Sequence, residues 1–173
     1  MTILYVIIAA IALVLIVAAL LPKTFELKAE TIIHKPKQQV RDYTKLFANQ
    51  VNYSVRVMAD PQVKLTHSGV DGTVGTTQAR DSVDNNVGKW EQEIIAINEG
   101  TSIEVEVRFE RPMKAINYAT NSFESIDDNT TKISQVFKGK NPRPGNIISA
   151  LFLPKVQKDM QQNINNLKVI LEK

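Results

Sequence analysis

The chain has 173 residues, contains no cysteine and carries a formal net charge of +3 at pH 7. The absence of cysteine excludes disulfide bonds, thiolate zinc sites and cysteine nucleophiles, and so small a positive charge does not indicate a nucleic-acid-binding protein. Behind a first apolar segment, roughly 150 residues remain, which is the length of one ordinary domain with a substantial core. We therefore expect one globular domain behind one apolar segment.

The first apolar segment covers residues 3–21, and the first charged side chain is Lys23. A helix needs roughly 20 apolar residues to cross a bilayer, and this run has that length. No positively charged region precedes it, and the residues before Pro22 form a poor cleavage site. The run has no polar stripe, whereas an amphipathic helix packed on a core would show one. The sequence predicts an uncleaved transmembrane anchor over residues 1–22, with a signal peptide or a core helix as the alternatives.

Positive side chains follow the anchor closely: Lys23, Lys28, Lys35, Lys37, Arg41 and Lys45. By the positive-inside rule, this cluster predicts a single-pass membrane protein whose domain lies on the cytoplasmic side. A solvated surface is the alternative interpretation of the same charges.

Several short elements are predicted behind the anchor. The period of two residues in FELKAETII indicates a first strand, and helix-compatible spacing from Lys37 to Gln50 indicates one or two short helices. Asp60 and Pro61 predict a turn before VKLTHS, and Gly69 to Gly75 predicts a hairpin before a further strand, TTQARDS.

Four clearer strands and one long helix follow. Alternating apolar and polar residues predict strands over residues 88–97, 101–109, 115–124 and 130–137, with Pro112 as an interruption. Steps of three and four residues then predict an amphipathic C-terminal helix through Leu153, Val156, Met160, Ile164, Leu167 and Leu171. The expected architecture is α+β: a curved antiparallel sheet of about seven strands with the helix on its concave face. Any gap between sheet and helix forms a pocket for a small molecule.

At this point the sequence resembles the SRPBCC (START-like) superfamily, and within it the bacterial polyketide cyclase or dehydrase-like subgroup. The matching segments are IIHKPKQQV, ADPQVKLTHSGVDGTVGT, GKWEQEIIAI, DDNTTKISQVFKGKNP and MQQNINNLKVILE. The resemblance implies a helix-grip domain over residues 23–173, in which the sheet wraps around the C-terminal helix and encloses a cavity for a lipid-like, polyketide-like or quinone-like ligand. The sequence departs from the subgroup at NYSVRVM, where a tryptophan pair is usual, and at Trp90, where glycine is usual.

Two sets of side chains are predicted to line this cavity. The polar set occupies inward-facing strand positions: Arg80, Gln92, Asn117, Asn121 and Gln135, with Gln78 beside them. The apolar set is Trp90, Val105, Val107, Phe109, Phe123, Leu153, Met160 and Ile164. A register slip of one residue would turn the polar set outward, where it would be ordinary surface. If the registers hold, the polar set is a site for a polar headgroup or a carboxylate.

No catalytic residue, metal ligand or cofactor is predicted. His34 and His67 lie in no metal-binding spacing, and Glu91 with Glu93 and Glu104 with Glu106 face away from the apolar sides of their strands. The predicted function is a membrane-anchored binding protein for a small hydrophobic or amphipathic molecule. The alternatives are a cyclase or dehydratase type of enzyme, and an interaction module whose cavity is filled by the helix. The oligomeric state is left open.

Overall fold

The computed structural model describes four stretches of the chain, residues 1–60, 62–83, 88–111 and 113–173. Pro61 and Pro112, at which the sequence predicts a turn and an interruption, lie outside them. The first element is helix α1 (Thr2–Leu20), whose side chains are exposed except for Ala18. It is the one described helix that is long and apolar enough to cross a membrane. Because it is exposed, the core-helix alternative is wrong.

Seven strands form a single antiparallel sheet in the order β1-β7-β6-β5-β4-β3-β2. Their bounds are Thr24–Ile33, Lys64–Ser68, Thr77–Asp81, Lys89–Asn98, Ser102–Arg111, Ala115–Asp127 and Thr130–Lys140 for β1 to β7. The predicted number and direction of the strands are confirmed. β6 and β7 are longer than expected, because their backbones stay paired as far as Asp127↔Thr130 and Lys140 after the apolar alternation has ended.

Besides α1, the described residues form four helical segments. Helix α2 (Lys37–Thr44), a 3-10 helix (Phe47–Asn52) and helix α3 (Val55–Ala59) lie between β1 and β2. The long C-terminal helix α4 runs from Gly145 to Leu171, so it begins earlier than the predicted periodic stretch from Leu153. Most residues before Leu153 are apolar, and only Asn146 and Ser149 interrupt them, which is why the period did not reveal this part of the helix.

The alternation in the sequence decides which face of the sheet is covered. On β5, Ile103, Val105 and Val107 are buried, whereas Glu104 and Glu106 are partly exposed on the other face. The same alternation on other strands supplies Ile33, Ile94, Phe123 and Ile133. The helices supply the rest of this core: Val40, Phe47, Leu167 and Leu171. The concave face therefore faces α4, as predicted.

Helix α4 also covers the free edge of β1. Gln157 Nε2 donates a hydrogen bond to the Lys28 carbonyl oxygen at 2.8 Å, and Gln161 Nε2 donates to the Glu30 carbonyl oxygen at 3.1 Å. Unpaired carbonyl groups of an edge strand otherwise invite pairing with another chain. These two glutamines thus fix the helix along β1, with both elements running in the same direction.

Candidate functional site

A cavity of about 460 Å³ lies between the inner face of the sheet and α4. Its apolar wall consists of Phe25, Val107, Phe109, Phe137, Ile148, Phe152, Leu153, Val156 and Met160. Val107 and Met160 are buried, whereas Ile148 and Phe152 are exposed at the start of α4. Small-molecule sites commonly measure about 300–1,000 Å³ and have mainly apolar linings. The cavity therefore has the size and lining of a small-molecule site, so the alternative in which the helix fills the cavity does not hold.

The opposite wall is polar and is built around Arg80 of β3, whose side chain is 1% exposed. Arg80 Nε donates to Gln78 Oε1 at 3.0 Å, and its Nη2 donates to the amide oxygens of Gln78 and Gln50. Gln92 Nε2 donates to the same two oxygens, at 2.9 Å in each case. Two amide oxygens thus accept bonds from both a guanidinium and an amide group.

The 3-10 helix brings Gln50 to this wall. The Asp71 carboxylate, in the turn between β2 and β3, accepts hydrogen bonds from the backbone N–H groups of Phe47 and Ala48 at 2.8 and 2.9 Å. Gln78 Nε2 donates to the Phe47 carbonyl oxygen at 3.1 Å. These bonds tie the start of the 3-10 helix to the hairpin and to β3, so they determine where Gln50 meets Arg80.

The positive charge of Arg80 also lies against an aromatic ring. Its Cζ atom is 4.3 Å from the ring centroid of Trp90, within the range of a cation–π interaction. Burial lowers the pKa of Arg80 to about 9, while Tyr53 acts to raise it and the nearby Arg56 lowers it further. The guanidinium therefore keeps its proton at neutral pH. Burial raises the pKa of the Tyr53 hydroxyl, so this neighbour is neutral there.

Most of the side chains predicted for the site lie on the cavity wall: Arg80, Trp90, Gln92, Val107, Phe109, Asn117, Asn121, Gln135, Leu153 and Met160. The strand registers turn the polar set inward, and Gln135 Nε2 donates to Asn121 Oδ1 at 3.1 Å. Val105, Phe123 and Ile164 need a correction, because they are buried in the core and do not line the cavity. Val105 and Phe123 pack in the cluster that includes Leu167 and Leu171 of α4, and Ile164 packs with Met160 and Ala29.

Other wall residues were missed. Gln50 comes from the 3-10 helix, Arg56 from α3 and Tyr53 from the link between them. Ile148 and Phe152 come from the start of α4. The apolar run IISALFL was visible in the sequence. Nothing in the sequence, however, places the short helices opposite β3, because their position depends on tertiary contacts.

The outer face of the sheet carries the carboxylates that paired-acid chemistry would need. Arg108 binds Glu91, Glu93 and Glu106 at N···O distances of 2.6, 2.8 and 2.7 Å. These hydrogen bonds raise the pKa of Arg108 above its usual value. The four side chains form a partly exposed surface network, on the face opposite the cavity. No group of three or more potential metal-ligating side chains occurs among the described residues.

The end of α1 lies beside the start of α4. Asn146 Nδ2 donates to the carbonyl oxygens of Ala18 and Leu21 at 2.8 and 3.1 Å. Arg143 Nε donates to the Ala18 oxygen at 2.8 Å, and its Nη2 donates to the Ala19 oxygen. The last carbonyl groups of a helix have no partner within it, and these side chains supply one. The apolar helix therefore ends beside the first turn of α4, which also carries the cavity-lining side chain of Ile148.

No protein-family model and no curated protein sequence matches the chain. Several solved structures do match it. Norcoclaurine synthase from Thalictrum flavum, in complex with dopamine and hydroxybenzaldehyde, matches with a TM-score of 0.61 at 13% identity, covering 86% of this chain and 87% of that one. DynU16, a protein in the dynemicin biosynthetic locus, matches with a TM-score of 0.60 at 11% identity, over 86% of this chain and 47% of its own. Ara h 8.0201 matches with a TM-score of 0.57 at 13% identity, over 86% and 97%. Identities this low show a shared fold alone.

Proposed function

Since the chain has the helix-grip fold of the START-like superfamily, we infer that it is a membrane-anchored binding protein for a small hydrophobic or amphipathic molecule. The observation that carries this proposal is the cavity of about 460 Å³ between the sheet and α4, apolar along α4 and polar around Arg80. One apolar wall and one polar wall suit a ligand that has a hydrocarbon body and a polar end. Membership of the polyketide cyclase-like subgroup stays part of the proposal.

A binding role is favoured over the enzymatic alternative by the chemistry of the wall. Its described titratable side chains are Tyr53, Arg56, Arg80, Arg111 and Lys155, with no carboxylate and no histidine among them. General acid–base catalysis works best with a group whose pKa lies near the working pH. The pKa of Tyr53 is raised and that of Arg80 is about 9, so neither group is poised near neutrality.

The membrane part of the proposal rests on α1. Nineteen residues at about 1.5 Å per residue give a helix of about 28 Å, close to the hydrocarbon thickness of a bilayer. Its exposed apolar side chains suit a lipid environment, and its end is bound by Arg143 and Asn146. We propose residues 1–22 as the anchor and 23–173 as the binding domain, and we assign the domain to the cytoplasmic side from the positive charges behind the anchor.

The cavity mouth is proposed to face the bilayer. Ile148, Leu151 and Phe152 are exposed apolar side chains in the first turns of α4, directly beside the end of α1. Because the chain has no cysteine, a spin label can be attached at one position through Leu151→Cys, with Val169→Cys near the other end of α4 as the control. In phospholipid bilayers we expect the label at 151 to collide with oxygen and the label at 169 with water-soluble nickel. Equal exposure of both labels to nickel would contradict the proposed mouth.

The binding role is tested by mass spectrometry of the full chain extracted from membranes. Wild type is expected to carry a stoichiometric amphipathic adduct, and the intact mass should retain residues 1–22. Ala119→Phe adds a ring on the cavity wall and should lose the adduct, whereas Ile116→Phe, on the outer face of the same strand, should keep it. Circular dichroism checks that both variants fold. An adduct that Ala119→Phe retains would place the molecule elsewhere, and a mass lacking the first residues would identify α1 as a cleaved signal sequence.

A further inference from the structure

The charge on the cavity wall is unbalanced. A buried arginine is normally paired with a carboxylate, because an uncompensated charge is costly to remove from water. No ion pair joins Arg80 to a carboxylate among the described residues, and its hydrogen-bond acceptors are the neutral oxygens of Gln50 and Gln78. The other cations of the wall do have partners in two cases: Arg56 lies 3.6 Å from Asp159, and Arg111 is paired with Asp81.

Hydrogen-bond donors at this wall also lack acceptors. The bonds from Arg80 leave its Nε and Nη2 atoms, and none in the described part of the structure leaves Nη1. The Nε1–H group of Trp90, whose ring lies against the guanidinium, is buried and has no acceptor among the described residues. Buried donors are normally satisfied, so the Trp90 N–H, next to a guanidinium that has an unused Nη1 group, points to a missing acceptor.

We propose that the ligand of this cavity carries a carboxylate, which binds to Arg80, and that its hydrocarbon body lies along the apolar face of α4. The inference rests on the proposed binding function and specifies its ligand class. The Nη1 group of Arg80 keeps free N–H donors on a positively charged guanidinium, so it suits a carboxylate oxygen. Gln50 and Gln78 accept bonds from the other two nitrogen atoms, and Gln92 donates to both of these amides. Arg80 is buried together with Gln78 and Gln92, so the guanidinium is held in place.

The sequence of the protein supplies the reporter for the test. Trp90 is its single tryptophan, and its ring centroid lies 4.3 Å from Arg80 Cζ. Decanoate and 1-decanol share one chain length and differ in the acidic group, so they form a matched pair of probes. Binding of each to the full chain in lipid nanodiscs at pH 7.5 is followed by Trp90 fluorescence, with the partitioning of each probe into empty nanodiscs subtracted.

We expect decanoate to bind the wild type at least tenfold more tightly than decanol. Arg80→Gln should abolish this preference and Arg80→Lys should retain part of it. Arg108→Gln makes the same chemical change on the outer face of the sheet and should leave the preference intact. Equal binding of the two probes to the wild type would overturn the proposal that the ligand carries a carboxylate, but it would not contradict the proposed binding function. A wild type that binds neither probe would overturn both the carboxylate proposal and the proposed binding function. A loss of the preference in Arg108→Gln would show that net charge, and not Arg80, causes the preference for decanoate.

Discussion

The two halves of α4 contact different surroundings, although they form one helix. In residues 154–171 the side chains on one face are buried against the sheet: Met160, Ile164, Leu167 and Leu171. In residues 145–153, Asn146 is buried against the end of α1, whereas Leu151 is 76% exposed and Phe152 is 54% exposed. One half is thus fastened by apolar packing and the other by polar bonds to an apolar helix.

The more apolar half of α4 is therefore not the half that builds the core. Pro154 lies at the boundary and has no backbone N–H to donate to the preceding turn, which weakens the helical bonding there. The second half has charged and polar side chains on its exposed face, as a water-soluble domain needs, whereas the exposed side chains of the first half include Leu151 and Phe152. An apolar segment beside a predicted membrane anchor, with its side chains exposed, is the pattern expected of a segment that meets lipid.

The largest expected effect comes from comparing one leucine in each half. Leu167 is fully buried, so Leu167→Ala should lower the free energy of unfolding by about 2–5 kcal/mol through lost contacts and a cavity. Leu151→Ala should change it by no more than about 0.5 kcal/mol, because that side chain is exposed. Urea unfolding of the full chain in detergent, followed by Trp90 fluorescence, measures both. Similar losses for the two leucines would show that the first half is also packed on the domain.

A smaller effect is expected at the contact between α1 and α4. Asn146→Ala removes two hydrogen bonds; the Leu21 carbonyl group loses its side-chain donor, whereas the Ala18 carbonyl group keeps Arg143, so the cost should be about 1–3 kcal/mol. Hydrogen exchange of the full chain in nanodiscs should speed up in the first turns of α4. Asn165→Ala, at an exposed position in the second half, is the control and should leave exchange there unchanged. Unchanged exchange in Asn146→Ala would mean that the first turns are held by other contacts.

Much of the fold could be predicted from the sequence, because alternation along a strand reports which face is buried. The polar residues Arg80, Gln92 and Asn117 could be assigned to the inner face for the same reason. Alternation cannot tell a core position from a cavity position on that face, so Val105 and Phe123 were assigned wrongly to the cavity. That distinction depends on where α4 approaches the sheet, which is a property of the tertiary structure.

The two neighbouring glutamines of the second half test its contact with β1. Gln161→Ala removes the bond to the Glu30 carbonyl oxygen and should lower the free energy of unfolding by about 0.5–1.5 kcal/mol. Gln162→Ala removes an exposed hydrogen bond within the helix, from Gln162 Nε2 to Asn166 Oδ1, and should have a smaller effect. Urea unfolding of the two variants gives the difference directly. A larger loss in Gln162→Ala would contradict the edge-covering role of the helix.

The smallest expected effect concerns the side chain of Glu30, on the strand that this half of α4 covers. Hydrogen bonds from Lys132 and Lys28 lower the pKa of Glu30 to about 2. A carboxyl whose pKa is lower in the folded state adds stability that is present above its unfolded value of about 4.5, and this is lost as the pH falls toward 2. The stability difference between wild type and Glu30→Gln should therefore be constant from pH 5 to 7 and shrink below about pH 4.5. A difference that grows on acidification would show that the two lysines do not stabilise the ionised form, and β1 would then depend on α4 and β7 backbone bonds alone.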